Sequence, residues 1–253
     1  MALTDLKRAA SPGLVRRLQA RARDWLTGEH AVTQRAAGAA FAIRVASAAI
    51  VFGSQVLLAR WMGQTEFGIY VYAFTWLILI GDLIHLGLPL TAQRFVPEYR
   101  QAGHLDLLRG YLVGSRWMTL GIGGAIGAIG AIAVTVFKPW FDPQSVVPLY
   151  FVCLALPFTG FSFMLDAQAR SHDWIGTALL PAYVGRPLLI IAMAAALHFS
   201  GLRLDAATVA AMLALAIWVM ALLQLFQLRR WLGAAVPSGP RRYDLRHWLN
   251  TAL

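Results

Sequence analysis

Six long apolar runs constrain this chain more than any other feature. Residues 36–59, 67–90, 112–137, 147–166, 174–199 and 206–228 each carry no more than one Arg, Lys, Asp or Glu. A helix needs about 20 mostly apolar residues to cross the hydrocarbon core of a bilayer. Backbone N–H and C=O groups in lipid must be paired within the segment, so each run is read as a helix. A transmembrane β-barrel would show short alternating segments instead, and these are absent. A soluble helical bundle is the bland alternative, but six consecutive runs of this length argue against it. The expected fold is therefore all-α: a polytopic membrane protein with six transmembrane helices in one bundle. A basic segment, 1–35, precedes the bundle, and a C-terminal segment, 229–253, follows it.

Composition agrees with this reading. The chain of 253 residues is 58% apolar and 13% charged. Soluble domains are nearer half apolar and a quarter charged, and disordered chains have low hydrophobicity. The first run begins too late and is too long for a cleaved signal peptide. With Cys153 alone, neither an intrachain disulfide nor a cysteine-based metal site can form.

The net charge of +10 has an uneven distribution along the chain. Positive residues gather in cytoplasmic loops. With six spans, the termini share a side with the segments after spans two and four. That side holds 16 of the 22 cations, including Lys7, Arg35, Arg94, Arg109, Arg170 and Arg246. The opposite loops hold Arg60, Lys138 and Arg203. Both termini are thus expected in the cytoplasm. The basic excess reads as topology, and without a nucleic-acid motif no nucleic-acid partner is expected. Residues 12–26 place Leu14, Leu18, Trp25 and Leu26 roughly on one helical face. They read either as an interfacial helix on the inner leaflet or as a plain basic tail, with a transit peptide disfavoured by Asp5, Asp24 and Glu29. Trp61, Trp117, Trp140, Trp174 and Trp231 near span ends suit an aromatic belt.

Polar residues inside the spans are the candidate functional groups, because charge in the bilayer core is costly and usually faces a cavity or a partner. In span one, Arg44, Ser47, Val51, Ser54 and Gln55 fall on one helical stripe. It reads as a lumen-facing polar strip, or alternatively as an Arg44 that snorkels to the headgroups. In span two, Thr75, Asp82 and His85 share a face. Asp82 and His85 could couple transport to a proton or cation, or Asp82 could pair with Arg44 or Arg186. In span five, Arg186 lies near mid-membrane between Pro181 and Pro187. Each proline removes a helical hydrogen bond, so a kinked helix with a central arginine is expected. Arginine binds phosphate bidentately and stays charged, which makes Arg186 the strongest candidate for an anionic substrate. Arg116 reads as a headgroup anchor at the start of span three. Gly123 and Gly127, extended by Ala131, form a small-xxx-small face for close helix packing. No nucleotide loop, zinc spacing or nucleophile elbow occurs, so neither a cofactor nor a metal nor enzymatic chemistry is expected.

Residues 41–77, FAIRVASAAIVFGSQVLLARWMGQTEFGIYVYAFTWL, resemble the start of oligosaccharide flippases. These belong to the multidrug/oligosaccharidyl-lipid/polysaccharide exporter superfamily. The likeness lies in an early arginine in helix one and in the LLAR-x-MG-x-x-EFGIY-x-YA join to helix two. LGLPLTAQRFVPEY, residues 86–99, is similar to the usual end of helix two and its cytoplasmic loop. The resemblance covers residues 36–253 and is most telling over 57–99. It implies a transporter that flips lipid-linked oligosaccharide, carried on polyprenyl pyrophosphate, across the bacterial inner membrane. It implies two six-helix bundles around a cation-rich cavity, with Arg44 and Arg186 holding the pyrophosphate or acidic sugars. This chain supplies one bundle, and its end, DLRHWLNTAL, looks like the approach to a seventh helix. A second half in cis, or a second copy, is the expected partner, along with membrane lipids. Two other readings stay open. One is a cation-coupled multidrug exporter using Asp82, and the other is a non-transporting scaffold of a glycan-assembly complex.

Overall fold

The structure is a computed structural model that describes residues 29–84 and 87–252. The chain divides into residues 1–42 and 43–253, and the packing below is that of the second unit. The amphipathic stretch 12–26 and His85 lie outside the described residues.

The regular structure of the described chain is helical, in the order α1 (Glu29–Met62), α2 (Gln64–Ile84), α3 (Leu88–Gln101), α4 (Leu105–Val136), α5 (Pro143–Arg170), α6 (Ile175–Leu180), α7 (Arg186–Phe199), α8 (Ala206–Ala235) and α9 (Leu245–Ala252). A 3₁₀ turn, Lys138–Trp140, precedes α5, and a π turn, Pro181–Gly185, joins α6 to α7. Among the described residues, six segments are long and apolar enough to cross a membrane: Phe41–Met62, Gln64–Ile84, Leu105–Val136, Pro143–Arg170, Ile175–Phe199 and Ala206–Ala235. The protein is an all-α polytopic membrane bundle.

The boundaries differ from the sequence reading in instructive ways. The run 67–90 holds parts of two elements, α2 to Ile84 and α3 from Leu88, with Gly87 at φ 73° just ahead of Leu88. An alanine there would be strained, and its Cβ would also meet the Ala252 carbonyl. The end of that run, 88–90, and the start of the connection expected after it form the amphipathic helix α3. It buries Leu88, Ala92, Phe95 and Tyr99 on one face and exposes Gln93, Arg94 and Glu98. Helix α4 begins at Leu105 rather than 112, α5 covers Pro143–Arg170 rather than 147–166, and α8 runs to Ala235 rather than 228. Apolar runs report the hydrocarbon core, whereas helical hydrogen bonding continues into the headgroup layer. Residues 229–252 are accordingly the end of α8, a link and the short helix α9.

Helix α5 is the axis of the bundle. Of its most apolar 18-residue window 61% is buried, against 17% for the Phe41–Met62 span. It packs against α2, α3, α4 and α8. The small-residue face of α4 permits the closest of these approaches. A Cβ on Gly127 would stand 2.5 Å from the Cys153 carbonyl oxygen, and one on Gly123 2.8 Å from Pro157 Cα. Bundles in lipid gain nothing from hiding apolar surface from water, so such close backbone contact is what holds the helices together. Side chains cap the starts of α5 and α8: Asp142 accepts from Gln144 N at 3.0 Å ahead of Pro143, and Asp205 accepts from Thr208 N at 2.8 Å. Glu66 of α2 accepts from Ala206 N at 2.7 Å, tying two helix ends together.

The two ends of the bundle differ in charge. One carries α3, the turn after α5 and residues 236–252, with Arg94, Arg100, Arg109, Arg170, Arg229, Arg241 and Arg246. We call it the basic end. The other carries Arg60, Lys138 and Arg203, and there Trp61 stacks on His198 with ring centroids 4.8 Å apart.

Candidate functional site

The side chains of span one divide into two groups. Ser47 and Ser54 are buried, and each donates its hydroxyl to its own helix, to Arg44 O at 2.8 Å and Ile50 O at 2.7 Å. Gln55 reaches the Tyr70 hydroxyl of α2, while its carbonyl oxygen is buried without a partner. Arg44 and Val51 are exposed instead. So the stripe does not present one uniform face: its hydroxyl donors serve the helix itself, and Arg44 is the group that projects.

Arg44 lies within electrostatic reach of Asp166 on α5. Asp166 is gripped by Arg170 one turn later, Nε to Oδ1 at 3.0 Å and Nη2 to Oδ2 at 2.7 Å. This two-pronged fork is the strongest geometry that arginine and carboxylate adopt. Tyr183 of the π turn lies beside both Arg170 and Arg186. Arg186 opens α7, and its Nε is buried without a partner. The kink expected around Arg186 takes the form of the π turn Pro181–Gly185, a local widening often found at functional sites. Gly185 fits there because Met220 of α8 lies against it, 2.7 Å from a would-be Cβ.

Arg44 and Arg186 therefore converge on one polar track, Arg44–Asp166–Arg170–Tyr183–Arg186. Sequence reasoning singled out its two ends and missed its middle. Asp166 and Arg170 are spaced i, i+4, the signature of a helical ion pair, but they read as the end of a span and a topology charge. The track holds three guanidinium groups and one carboxylate. A charge in a span costs roughly 2.5–3.5 kcal/mol on insertion scales. Asp166 offsets one cation, and the surplus favours an anion. At the basic end the track opens into a cleft of about 420 Å³, which Arg170 shares with Arg100, Gln93 and Asp173.

Asp82 is exposed and makes no ion pair with Arg44 or Arg186. Thr75 is exposed and donates to Val71 O at 2.8 Å. Among the described residues, no three potential ligands cluster as a metal site would require. Arg116 departs from the anchoring role: it lies well inside α4, is 7% exposed, and donates from Nε to Gln168 Oε1 at 2.8 Å. Trp117 lies equally deep along α4 rather than at its end.

His172, in the turn beside the cleft, is a buried base. Its Nδ1–H donates to Gln168 O at 2.9 Å, its ring stacks on Trp174 at 4.8 Å, and Nε2 has no partner. Burial pushes this imidazole below its ordinary value of 6.5. The folded state thus holds His172 neutral, while the unfolded chain takes up a proton as the pH falls through that value. Stability supplied by the neutral ring is present above it and is lost below. The melting temperature of the wild-type chain is expected to drop between about pH 7.5 and pH 5.5. His172→Phe should flatten that dependence, and an equal drop in the variant would remove His172 as its source.

The fold and the track define a polytopic helical membrane protein with three arginines against one carboxylate along the track. No family model, curated protein or solved structure matches the chain.

Proposed function

We propose that this chain is a membrane transporter that flips lipid-linked oligosaccharide, the pyrophosphate-bearing precursor of a surface or exported glycan, across the bacterial inner membrane. The observation that carries this reading is the cationic track joining Arg44 to Arg186, in a bundle otherwise built for lipid. The pyrophosphate would sit against Arg44, Arg170 and Arg186, with Asp166 moderating their charge. The sugars would occupy the polar side of the cavity, and the polyprenyl tail would remain in the bilayer. The second wall of that cavity would come from another bundle, in cis or from a second copy. The basic end faces the cytoplasm in this reading, so the cleft beside Arg170 is where the headgroup enters.

In reconstituted vesicles, Arg44→Ala and Arg186→Ala should each slow flipping of a pyrophosphate-linked oligosaccharide by about 10–100-fold, the range expected for losing one charged hydrogen bond of roughly 1.5–3 kcal/mol. Lys138→Ala, at the opposite end, should leave flipping unchanged. Wild-type rates in both track variants would sink the headgroup contact. One observation favours a second reading: Asp82 is an exposed carboxylate in a span, as a cation-coupled drug exporter would need. Loss of drug resistance in Asp82→Asn, with glycan transport intact, would select that reading instead.

A further inference from the structure

A cavity of about 740 Å³ lies between α4, α5, α8 and residues 236–241. That volume is typical of a small-molecule site. Arg109, Arg116, Arg229 and Arg241 line it, and no carboxylate does. The rest of the wall is largely apolar, including Leu120, Phe158 and Leu225. Arg116 is built into the structure rather than draped over it. Gln168 accepts from its Nε at 2.8 Å and is itself fixed through Nε2, which donates to Leu112 O at 3.0 Å and Ser115 Oγ at 2.9 Å. This leaves Arg116 Nη2 buried with no acceptor. Arg229 lies near enough to press a like charge on it. Arg109 is held at the rim, donating from Nε to Pro237 O at 2.7 Å and from Nη1 to Pro240 O at 3.3 Å.

This site is separate from the Arg44–Arg186 track. Gln168, which holds Arg116, and Asp166, which lies within electrostatic reach of Arg44, are two residues apart on α5, and a two-residue step turns about 200° around a helix. The helix stands between the two sites. A cluster of arginines with no counter-charge, one of them buried and unpartnered, calls for an anion with several acceptor oxygens. The adjoining apolar wall calls for a hydrocarbon chain on that anion. Basic pockets between membrane helices bind lipid headgroups by this logic.

We infer that this cavity binds a phosphate-bearing amphiphile of net negative charge, with the phosphate among Arg116, Arg229 and Arg241 and the hydrocarbon along Leu120, Phe158 and Leu225. The occupant also touches residues 236–241, so it braces that segment against α4 and α8.

The test is native mass spectrometry of the full chain, released from micelles doped with equal amounts of phosphatidylglycerol and phosphatidylcholine of matched chains. Phosphatidylglycerol should be retained about tenfold or more over phosphatidylcholine, a difference of one order in dissociation constant. Arg116→Gln should cut that preference about tenfold, as the loss of one charge-assisted contact would. Arg229→Gln should do the same; Arg229 is exposed, so this variant tests the site even if Arg116→Gln does not fold. Lys138→Gln should change nothing. Equal retention of the two lipids, or a preference unchanged in Arg229→Gln, overturns the inference. Displacement of the lipid by inorganic phosphate at equal concentration also overturns it, by assigning the cavity to a soluble anion.

Discussion

Gly127→Leu is expected to break the bundle. The backbone of α4 meets that of α5 at this point, with a would-be Cβ 2.5 Å from the Cys153 carbonyl oxygen. That neighbour is backbone and cannot rotate away. Leucine adds three more carbons where a single one already overlaps, so α4 must move outward. Overpacking a core costs about 1–3 kcal/mol and sometimes more. Here the effect should lie at the upper end, because α5 is the axis against which α2, α3 and α8 also pack. Gly123→Leu should behave alike, with Pro157 Cα 2.8 Å from its would-be Cβ. Gly121 lies on the same helix with nothing within 4 Å of the added atom. Gly121→Leu should therefore be tolerated and, facing outward, should even gain helix propensity over glycine, by up to about 1 kcal/mol. Size-exclusion profiles after heating detergent-solubilised protein read the contrast. If Gly121→Leu and Gly127→Leu aggregate at the same temperature, the α4–α5 contact does not hold the bundle.

That contrast also shows where sequence reasoning succeeds. The motif Gly123-x-x-x-Gly127 identified the packing face of α4 without its partner, because small residues mark close approach whatever approaches. The six spans were legible for a similar reason: the bilayer imposes a length and an apolar content on each segment by itself. What sequence alone left unresolved depends on pairing between distant segments. Asp166 and Arg170 became part of a site only once α1 and the π turn brought Arg44 and Tyr183 to them. Arg116 looked like a span-edge anchor because the uncharged part of the run starts just after it, but α4 starts at Leu105 and carries it inward to Gln168. Helix α3 was hidden by its mixed composition. Its apolar residues face the bundle while its charges face out, so neither a hydropathy run nor a loop signal describes it.

Trp248→Ala carries the second large effect, at the basic end. Trp248 is fully buried although it belongs to a helix of only eight residues. A helix that short is not stable alone, so packing must hold it. The indole donates to the Tyr99 hydroxyl at 3.1 Å, stands edge-on to Tyr111 with centroids 5.2 Å apart, and lies 3.0 Å from a would-be Cβ on Gly114. Further along, Arg242 N donates to Asp106 O at 3.0 Å, and its carbonyl lies against Gly110, where no side chain would fit. Residues 236–252 are thus strapped across the start of α4 with Trp248 as the anchor. Truncating a buried tryptophan costs about 3–5 kcal/mol. The α3 and α4 residues it covers belong to a longer framework, so the loss should fall on local detachment of the strap rather than on the bundle. Trypsin cleaves a segment only when it opens, at a rate set by the open population when reclosing is fast. Cleavage after Arg241, Arg242 and Arg246 should then rise by about 10²-fold or more, at roughly 1.4 kcal/mol per factor of ten. Trp231→Ala removes a half-exposed indole that stands edge-on to Trp174 instead, and it should leave those cleavages near the wild-type rate. Equal cleavage in wild type and Trp248→Ala would mean that the backbone contacts at Asp106 and Gly110 hold the strap without the indole. Double substitution of Trp248 and Gly110 would then be needed to release it.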